Sequence, residues 1–176
     1  GFTCTGTFQL WLNCAQNFAK ENAGWANPSI MQTYYSAGTM LALIVTAFLT
    51  RKIKDVRFIV AYPVICLVTM IVVLVSPSQA TMTAGAFLIG WAGAGGLLQI
   101  ATSVCNMLFP KIKGTVTALV MIASSLCNYT ILTAASKMQP SQVMLMNIIL
   151  TGVGVVLGLY VNLRYTKMVE YANEEN

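Results

Sequence analysis

The stretch from Phe58 to Val75 constrains the fold more than any other, because its 18 residues include no charged side chain. About 20 consecutive apolar residues form a helix long enough to cross the hydrocarbon of a bilayer. Five further windows of similar character occur along the chain. The sequence therefore predicts six membrane-spanning helices, over residues 2–20, 28–50, 58–75, 81–109, 115–136 and 142–165, followed by a polar cytoplasmic tail over 166–176.

These runs are helical rather than strand-like in character. They lack the two-residue alternation of barrel strands and are about twice as long as such strands. Breaks between them carry ordinary helix start and stop signals, namely Asn27-Pro28, Ser76-Pro77-Ser78, Pro110 and Pro140-Ser141. We expect an all-α membrane protein whose residues 1–176 form a single bundle.

Composition excludes several kinds of chemistry. Hydrophobic residues make up 57% of the chain and charged residues only 9%, against about 25% charged in soluble domains. The absence of histidine excludes a Ser-His-Asp triad and an H-E-x-x-H zinc site. The five cysteines lie in predicted spans without a C-x-x-C pair, so small buried side chains are favoured over metal ligands. We expect no enzyme activity, no metal and no cofactor.

The basic residues predict the orientation. Most fall on one side of the predicted membrane, and only Lys20 and Lys137 lie near the other. The residues of the first group are Arg51, Lys52, Lys54, Arg57, Lys111, Lys113, Arg164 and Lys167. Basic loops face the cytoplasm, and the number of spans is even, so both termini are expected there. The net charge of +5 then reflects topology and not a nucleic-acid-binding surface.

The first span carries a row of amide side chains. Gln9, Asn13, Gln16, Asn17 and Lys20 recur at helical spacing and fall within an arc of roughly 100°. Unpaired amides in hydrocarbon cost several kcal/mol each, so the row must face protein or water. A cavity lining is favoured over hydrogen-bonding contacts between helices. Lys20 either attracts an anion or extends to the outer interface, which is the favoured alternative.

Polar faces recur in three other spans. They consist of Gln32, Tyr35, Ser36, Thr39 and Thr46 in the second, Trp91, Gln99, Ser103 and Asn106 in the fourth, and Thr117, Ser124 and Asn128 in the fifth. The third and sixth spans are almost wholly apolar and are expected to face lipid. The same order of polar and apolar helices thus occurs twice. This order hints at two inverted three-helix repeats, which are typical of secondary transporters.

Five glycines interrupt the fourth span: Gly85, Gly90, Gly93, Gly95 and Gly96. Each weakens a helix by about 1 kcal/mol relative to alanine. A flexing gate and tight helix packing are equally supported there. Packing is the expected role of the Gly154-x-x-x-Gly158 pattern in the sixth span.

The chain resembles one half of a major facilitator superfamily transporter. Residues Gly38 to Arg57 are similar to the basic loop between the second and third helices of a bundle, with Ala47 and Arg51 where the family has Gly and Asp. The segment Phe109 to Thr115, continuing into Ala123-Ser124-Ser125, resembles the connection of spans ten and eleven. The resemblance implies the C-terminal six-helix half. The chain also begins within a hydrophobic run without Met, as expected for the downstream part of a longer protein.

The resemblance implies alternating access, in which two bundles rock about a central site. The partner is expected to be an N-terminal six-helix half or a second copy. We expect a small polar or weakly charged organic solute to contact Gln9, Asn13, Gln16, Asn17, Gln32, Tyr35, Trp91, Gln99 and Asn128. Gating is assigned to Gly93, Gly95, Gly96, Arg51 and Asp55, although the charged pair has a plainer role as a topology signal. No acid lies in the middle of a span, so a proton-coupling group is expected elsewhere or not at all.

Three other classes remain alternatives. A channel usually has a re-entrant filter or rings of one charge, and the sequence shows neither. An intramembrane enzyme would need a catalytic motif. A non-transporting membrane scaffold, or a half-size carrier that works as a homodimer, is compatible with the same helices. In each case the chain is expected in a plasma or inner membrane, in contact with lipid and not with nucleic acid.

Overall fold

The computed structural model describes the backbone of residues 1–49 and 55–174, and the side chains of residues 1–48 and 56–170. Every regular element in these ranges is helical. The first three helices are α1 (Phe2–Asn22), α2 (Ile30–Leu49) and α3 (Asp55–Val75). The next long helix has three parts, α4 (Gln79–Ile89), a π-helical segment (Gly90–Leu97) and α5 (Leu98–Leu108). A 3₁₀ turn (Pro110–Ile112), α6 (Lys113–Ala135) and α7 (Pro140–Glu174) complete the described chain.

Three of the four predicted start and stop signals coincide with helix ends, whereas α2 begins at Ile30, two residues after Pro28. Ser78 caps α4 by accepting a hydrogen bond from the backbone N–H of Thr81, and the Thr81 hydroxyl accepts one from the backbone N–H of Ser78. This is a capping box. Pro110 follows the end of α5, and Pro140 is the first residue of α7. One difference lies at the C-terminal end, where α7 continues through the predicted polar tail as far as Glu174.

Four of the described helices are long and apolar enough to cross a membrane: Val56–Val75, Gln79–Leu108, Pro110–Ala135 and Pro140–Glu170. They correspond to the predicted third to sixth spans. The first two predicted spans also form helices, α1 and α2. Amide side chains lower the apolar character of α1, and Gln32 and two tyrosines near the start of α2 do the same there.

The helix that consists of α4, the π-helical segment and α5 is named the fourth helix. It packs against α1, α2, α3 and α6. Around it, α1 also packs against α6 and α7, and α3 packs against α7. The main core consists of residues from several of these helices, including Trp11, Phe18, Met70, Met82 and Ile89, all at most 2% exposed.

Glycines allow α2 and the fourth helix to approach until their backbones touch. A Cβ atom at Gly38 would collide with the carbonyl oxygen of Phe87, and one at Gly90 with the carbonyl oxygen of Tyr35. The Thr39 hydroxyl lies at the same contact and donates a hydrogen bond to the Gly90 carbonyl at 3.1 Å. Tight packing, one of the two roles predicted for the glycine-rich segment, is therefore present at this contact.

The helices α3 and α7, which the sequence predicts to face lipid, are exposed on one side and buried on the other. Each exposes large apolar side chains on one side, such as Val68 on α3 and Leu163 on α7. The opposite side of α7 is buried, because Gly158 lies against the backbone of Ile59 and because Asn147 and Thr151 are only 1% exposed. Periodicity alone could not show that these two polar residues point inward.

Candidate functional site

A polar seam joins α1 to α6. The Thr5 hydroxyl donates a hydrogen bond to the Ser124 hydroxyl at 2.8 Å, and Gly1 lies against the backbone of Val120. Further along both helices, Asn13 and Asn17 share a groove with residues of α6. The two helices therefore run in the same direction, and each step of four residues along α1 corresponds to a step of four residues along α6.

The register of this seam places Gln9 level with Asn128, because each lies four residues beyond a member of the Thr5–Ser124 pair. Gln9 and Asn128 are both half-buried. The Oδ1 atom of Asn128 is buried and has no hydrogen-bond partner among the described residues. A buried acceptor without a donor costs about 1–3 kcal/mol. Such an atom in a folded protein calls for a functional or structural reason.

Toward the C-terminal ends of α1 and α6, the seam opens into a groove of about 590 Å³. Lys20 and Glu21 lie at the end of α1 that borders the groove, and Asn13 and Asn17 lie deeper. The full lining consists of Asn13, Cys14, Asn17, Lys20, Glu21, Leu132, Ala135, Ser136, Met138, Pro140 and Val143. Asn13 and Asn17 are exposed, so this half of the amide row is open and not sealed in a dry interior.

The remaining amide of the row, Gln16, lies at the edge of the arc that is nearest to α2. It borders a small void of about 10 Å³ together with Gln32 and Tyr35 of α2. Gln32 is exposed, whereas Tyr35 is 8% exposed and packed into the core. The predicted polar face of α2 is thus divided, since Thr46 is also buried and hydrogen-bonded to the Tyr62 hydroxyl at 2.8 Å.

Gln99 belongs to a second groove, of about 690 Å³, between α5 and the start of α6. Asn106 closes part of it through a pair of hydrogen bonds with Thr117, at 3.2 and 3.3 Å. Lys113 is the charged residue on its lining. The nine predicted binding residues are therefore spread over several places in the bundle and not gathered in one pocket.

Two of the predicted gating glycines lie at contacts with other helices, whereas the ring contact of Trp91 is with a residue of its own helix. The Trp91 ring is tilted against that of Phe87, with ring centroids 6.1 Å apart. A Cβ at Gly95 would collide with Ala42, and one at Gly96 with the Tyr62 ring. A Cβ at Gly93 would make only ordinary van der Waals contacts. Of the charged gating pair, Arg51 and the Asp55 side chain lie outside the described residues.

Sequence reasoning missed a buried polar cluster where α1, α3 and α7 meet. The Asn147 side chain donates to the Thr7 carbonyl at 3.0 Å, and the Thr151 and Thr7 hydroxyls are 2.9 Å apart. Thr151 also lies 3.9 Å from the sulfur of Met70. Two polar residues four positions apart in an apolar span were the available signal, because such a pair shares one helix face. The polar side chains of this cluster find their hydrogen-bond partners within it, and these bonds hold α1 against α7.

Comparison with known proteins identifies relatives of one kind. The inner membrane transport protein YdiN of Escherichia coli K12 is 31% identical over 134 residues, which cover 74% of this chain and 32% of the relative. The uncharacterized MFS-type transporter YfkL of Bacillus subtilis 168 is 37% identical over 134 residues, covering 73% of this chain and 33% of the relative.

A third relative extends the match over almost the whole chain. The inner membrane transport protein YdiM of Escherichia coli K12 is 25% identical over 177 residues, covering 97% of this chain and 44% of the relative. The chain thus spans between a third and a half of the length of the curated relatives it matches. No family model matches the chain, and no solved structure matches it.

Proposed function

Since this chain belongs to the major facilitator superfamily, we propose that it is the C-terminal six-helix half of a secondary transporter that moves a small polar organic solute by alternating access. The observation that carries the proposal is the open amide row of α1 beside the 590 Å³ groove. Asn13 and Asn17 would each cost several kcal/mol if they faced hydrocarbon. A wet pathway removes that cost.

The contacts between helices support the proposed pair of inverted repeats. If the first three helices correspond in order to the last three, α1 is equivalent to the fourth helix, α2 to α6, and α3 to α7. Under that exchange, packing of α1 against α6 and α7 becomes packing of the fourth helix against α2 and α3. All four contacts occur. The contacts of α1 with the fourth helix and of α3 with α7, which map onto themselves, occur as well.

The exposed faces of α2 and α6 support a partner bundle. Only 11% of the apolar window of α6 is buried, the lowest share of the four candidate spans. Its open side combines Leu126 with Tyr129, which is 78% exposed, while α2 exposes Gln32 and Ser36. Mixed polar and apolar surfaces of this kind suit contact with an N-terminal half across a solute pathway. A second copy of this chain is the other partner that the proposal allows.

In the proposed orientation both termini are cytoplasmic, and the groove beside Lys20 opens to the opposite side. The solute would contact the amides of α1 first, and the second groove around Gln99 would open toward the cytoplasm. The chain has no acid in the middle of a span. Any proton coupling would therefore need a group in the partner half.

Cysteine accessibility in membranes containing the complete protein tests this proposal. A charged, water-soluble thiol reagent should modify Asn13→Cys at a rate that depends on the conformational state. The matched control is Val68→Cys, which replaces a side chain that is 55% exposed on the apolar face of α3. Exposure is then similar and only the surrounding medium differs. Equal and negligible modification at both positions would place the amide row in lipid and end the proposal.

Solute flux separates the carrier from its alternatives. A carrier gives flux that saturates with solute concentration, whereas flux through a channel rises nearly in proportion to concentration over the same range. Alanine at Asn13 and Gln16 should abolish transport by a carrier while leaving its unfolding temperature nearly unchanged. In a scaffold the same two changes should lower the unfolding temperature, because the amides would serve only as contacts between helices.

A further inference from the structure

The seam between α1 and α6 combines two features that together define what it can bind, provided that the proposed function holds. The first is an amide oxygen that receives no hydrogen bond from the described residues. The buried Oδ1 of Asn128 lacks a partner within the described part of the chain. It lies level with Gln9 and one helical turn below Asn13 and Leu132, which border the groove.

Asn13 adds a second acceptor to this seam. Its Nδ2 donates to the Gln9 carbonyl at 2.8 Å. Because a carbonyl oxygen can only accept, the orientation of the Asn13 amide follows from chemistry, with the nitrogen toward Gln9 and the Oδ1 on its other side. Asn13 is exposed, so this Oδ1 is accessible. One of the two N–H groups of the Asn13 side chain is thus used by its own helix.

The second feature is the absence of charge along most of the length of both helices. Residues 2–19 and 114–136 contain no Asp, Glu, Lys or Arg. Lys20 and Glu21 border the groove only at its mouth. A solute with a net charge would lose its hydration in the seam without meeting an opposite charge, which is strongly unfavourable. An uncharged solute loses far less and can replace its water contacts with the amides.

We propose that the α1–α6 seam binds an uncharged solute through hydroxyl or amide N–H groups, and that Asn128 Oδ1 accepts one of its hydrogen bonds. The bound solute supplies the donor that Asn128 Oδ1 lacks within the described part of the chain. Binding of this kind accounts for the buried Asn128 Oδ1 that has no other partner among the described residues. In this proposal Lys20 and Glu21 act at the entrance and do not select a charged solute.

Charge selectivity within the seam can be measured with three methanethiosulfonate reagents of similar length, bearing a hydroxyethyl, a trimethylammonium or a sulfonate group. Asn128→Cys and Asn17→Cys are compared in the complete protein, and modification is followed on each peptide by mass spectrometry. Rates are divided by those of the same reagents with a free thiol in solution. Asn17 is the matched control because it lies on the same seam but near the charged mouth.

At position 128 the uncharged reagent should react about tenfold faster than both charged reagents, a difference equivalent to about 1.4 kcal/mol. At position 17 the three rates should agree within about threefold. Equal rates at position 128 would overturn the inference while leaving the proposed pathway intact. If none of the reagents modifies position 128, the seam is closed to solute at that depth and the inference fails, whereas the proposed function is decided separately by the labelling of Asn13→Cys.

A stability measurement tests the acceptor itself. Asn128→Leu removes an unpartnered polar atom, so the unfolding temperature should stay the same or rise. The control is Asn147→Leu, which breaks the hydrogen bond to the Thr7 carbonyl and should lower the unfolding temperature. If Asn128→Leu lowers it as much as Asn147→Leu does, Asn128 has a structural role and the inference is wrong.

Discussion

The Thr5 hydroxyl donates a hydrogen bond to the Ser124 hydroxyl at 2.8 Å, and both residues are at most 8% exposed. This bond fixes the register of α1 against α6. The register in turn places Gln9 level with Asn128 and aligns Asn13 and Asn17 with the groove. The register that this contact reveals therefore indicates which polar side chains lie level with each other along the seam.

Removing this bond should weaken the attachment of α1. Thr5→Val keeps the shape of the side chain but deletes the donor, and we expect a loss of about 1 kcal/mol in the free energy of unfolding, because bonds between membrane helices are worth about 0.6–2 kcal/mol. Ser124→Ala should cost a similar amount. The double variant should cost clearly less than the sum of the two, as measured by denaturant unfolding in detergent. Simple additivity would show that the two hydroxyls do not interact.

Replacement of glycine by alanine should have different effects at two positions that differ in packing. Gly90→Ala places a Cβ against the carbonyl oxygen of Tyr35, a backbone atom that cannot move aside. We expect the free energy of unfolding to fall by about 1–3 kcal/mol, as for an overpacked core. Gly152→Ala is the control, since nothing lies within 4 Å of its Cβ position. That variant should be neutral or up to about 1 kcal/mol more stable, because alanine favours a helix. Equal effects at the two positions would contradict the close contact of α2 with this helix.

Much of the helical architecture was predictable because its signals are local. Proline and serine at positions 76–78, 110 and 140 set helix ends through backbone chemistry that does not depend on the neighbours. The π-helical geometry of Gly90–Leu97 was not predictable. Glycine content shows that a helix is weak there, but it does not specify which hydrogen-bonding pattern replaces the α-helical one.

The candidate site was predictable only in part, for a similar reason. Helical spacing shows which residues share an arc, whereas burial depends on the helix that the arc meets. On α1 the predicted row stays largely open at Asn13 and Asn17. On α2 the same argument predicted Tyr35 as a solute contact, yet its side chain packs into the core because glycines bring the fourth helix close. The pairing of Thr5 with Ser124 depends on a contact between distant helices, which no local pattern contains.

The native cysteines offer a test that needs no substitution in the pathway. Cys14 borders the groove beside Asn13 and Asn17, whereas Cys66 is 0% exposed among α3 and its neighbours. A water-soluble thiol reagent should modify Cys14 much faster than Cys66 in the folded protein, as measured by mass spectrometry of the labelled peptides. After denaturation the two should react at similar rates. Rapid labelling of Cys66 in the folded protein would contradict the packing of α3 against the fourth helix.

The contact between Tyr62 and Thr46 gives a final prediction for the attachment of α2 to α3. Their hydroxyls are 2.8 Å apart, and the two residues are 4% and 7% exposed. Tyr62→Phe leaves the Thr46 hydroxyl without this partner and should reduce the free energy of unfolding by about 1 kcal/mol. Adding Thr46→Val should recover most of that loss, because two apolar groups then replace the bonded pair. Tyr129→Phe, at a site 78% exposed, controls for the loss of a phenol and should leave stability unchanged. A Tyr62→Phe variant as stable as that control would show that the bond contributes nothing to holding the two helices together.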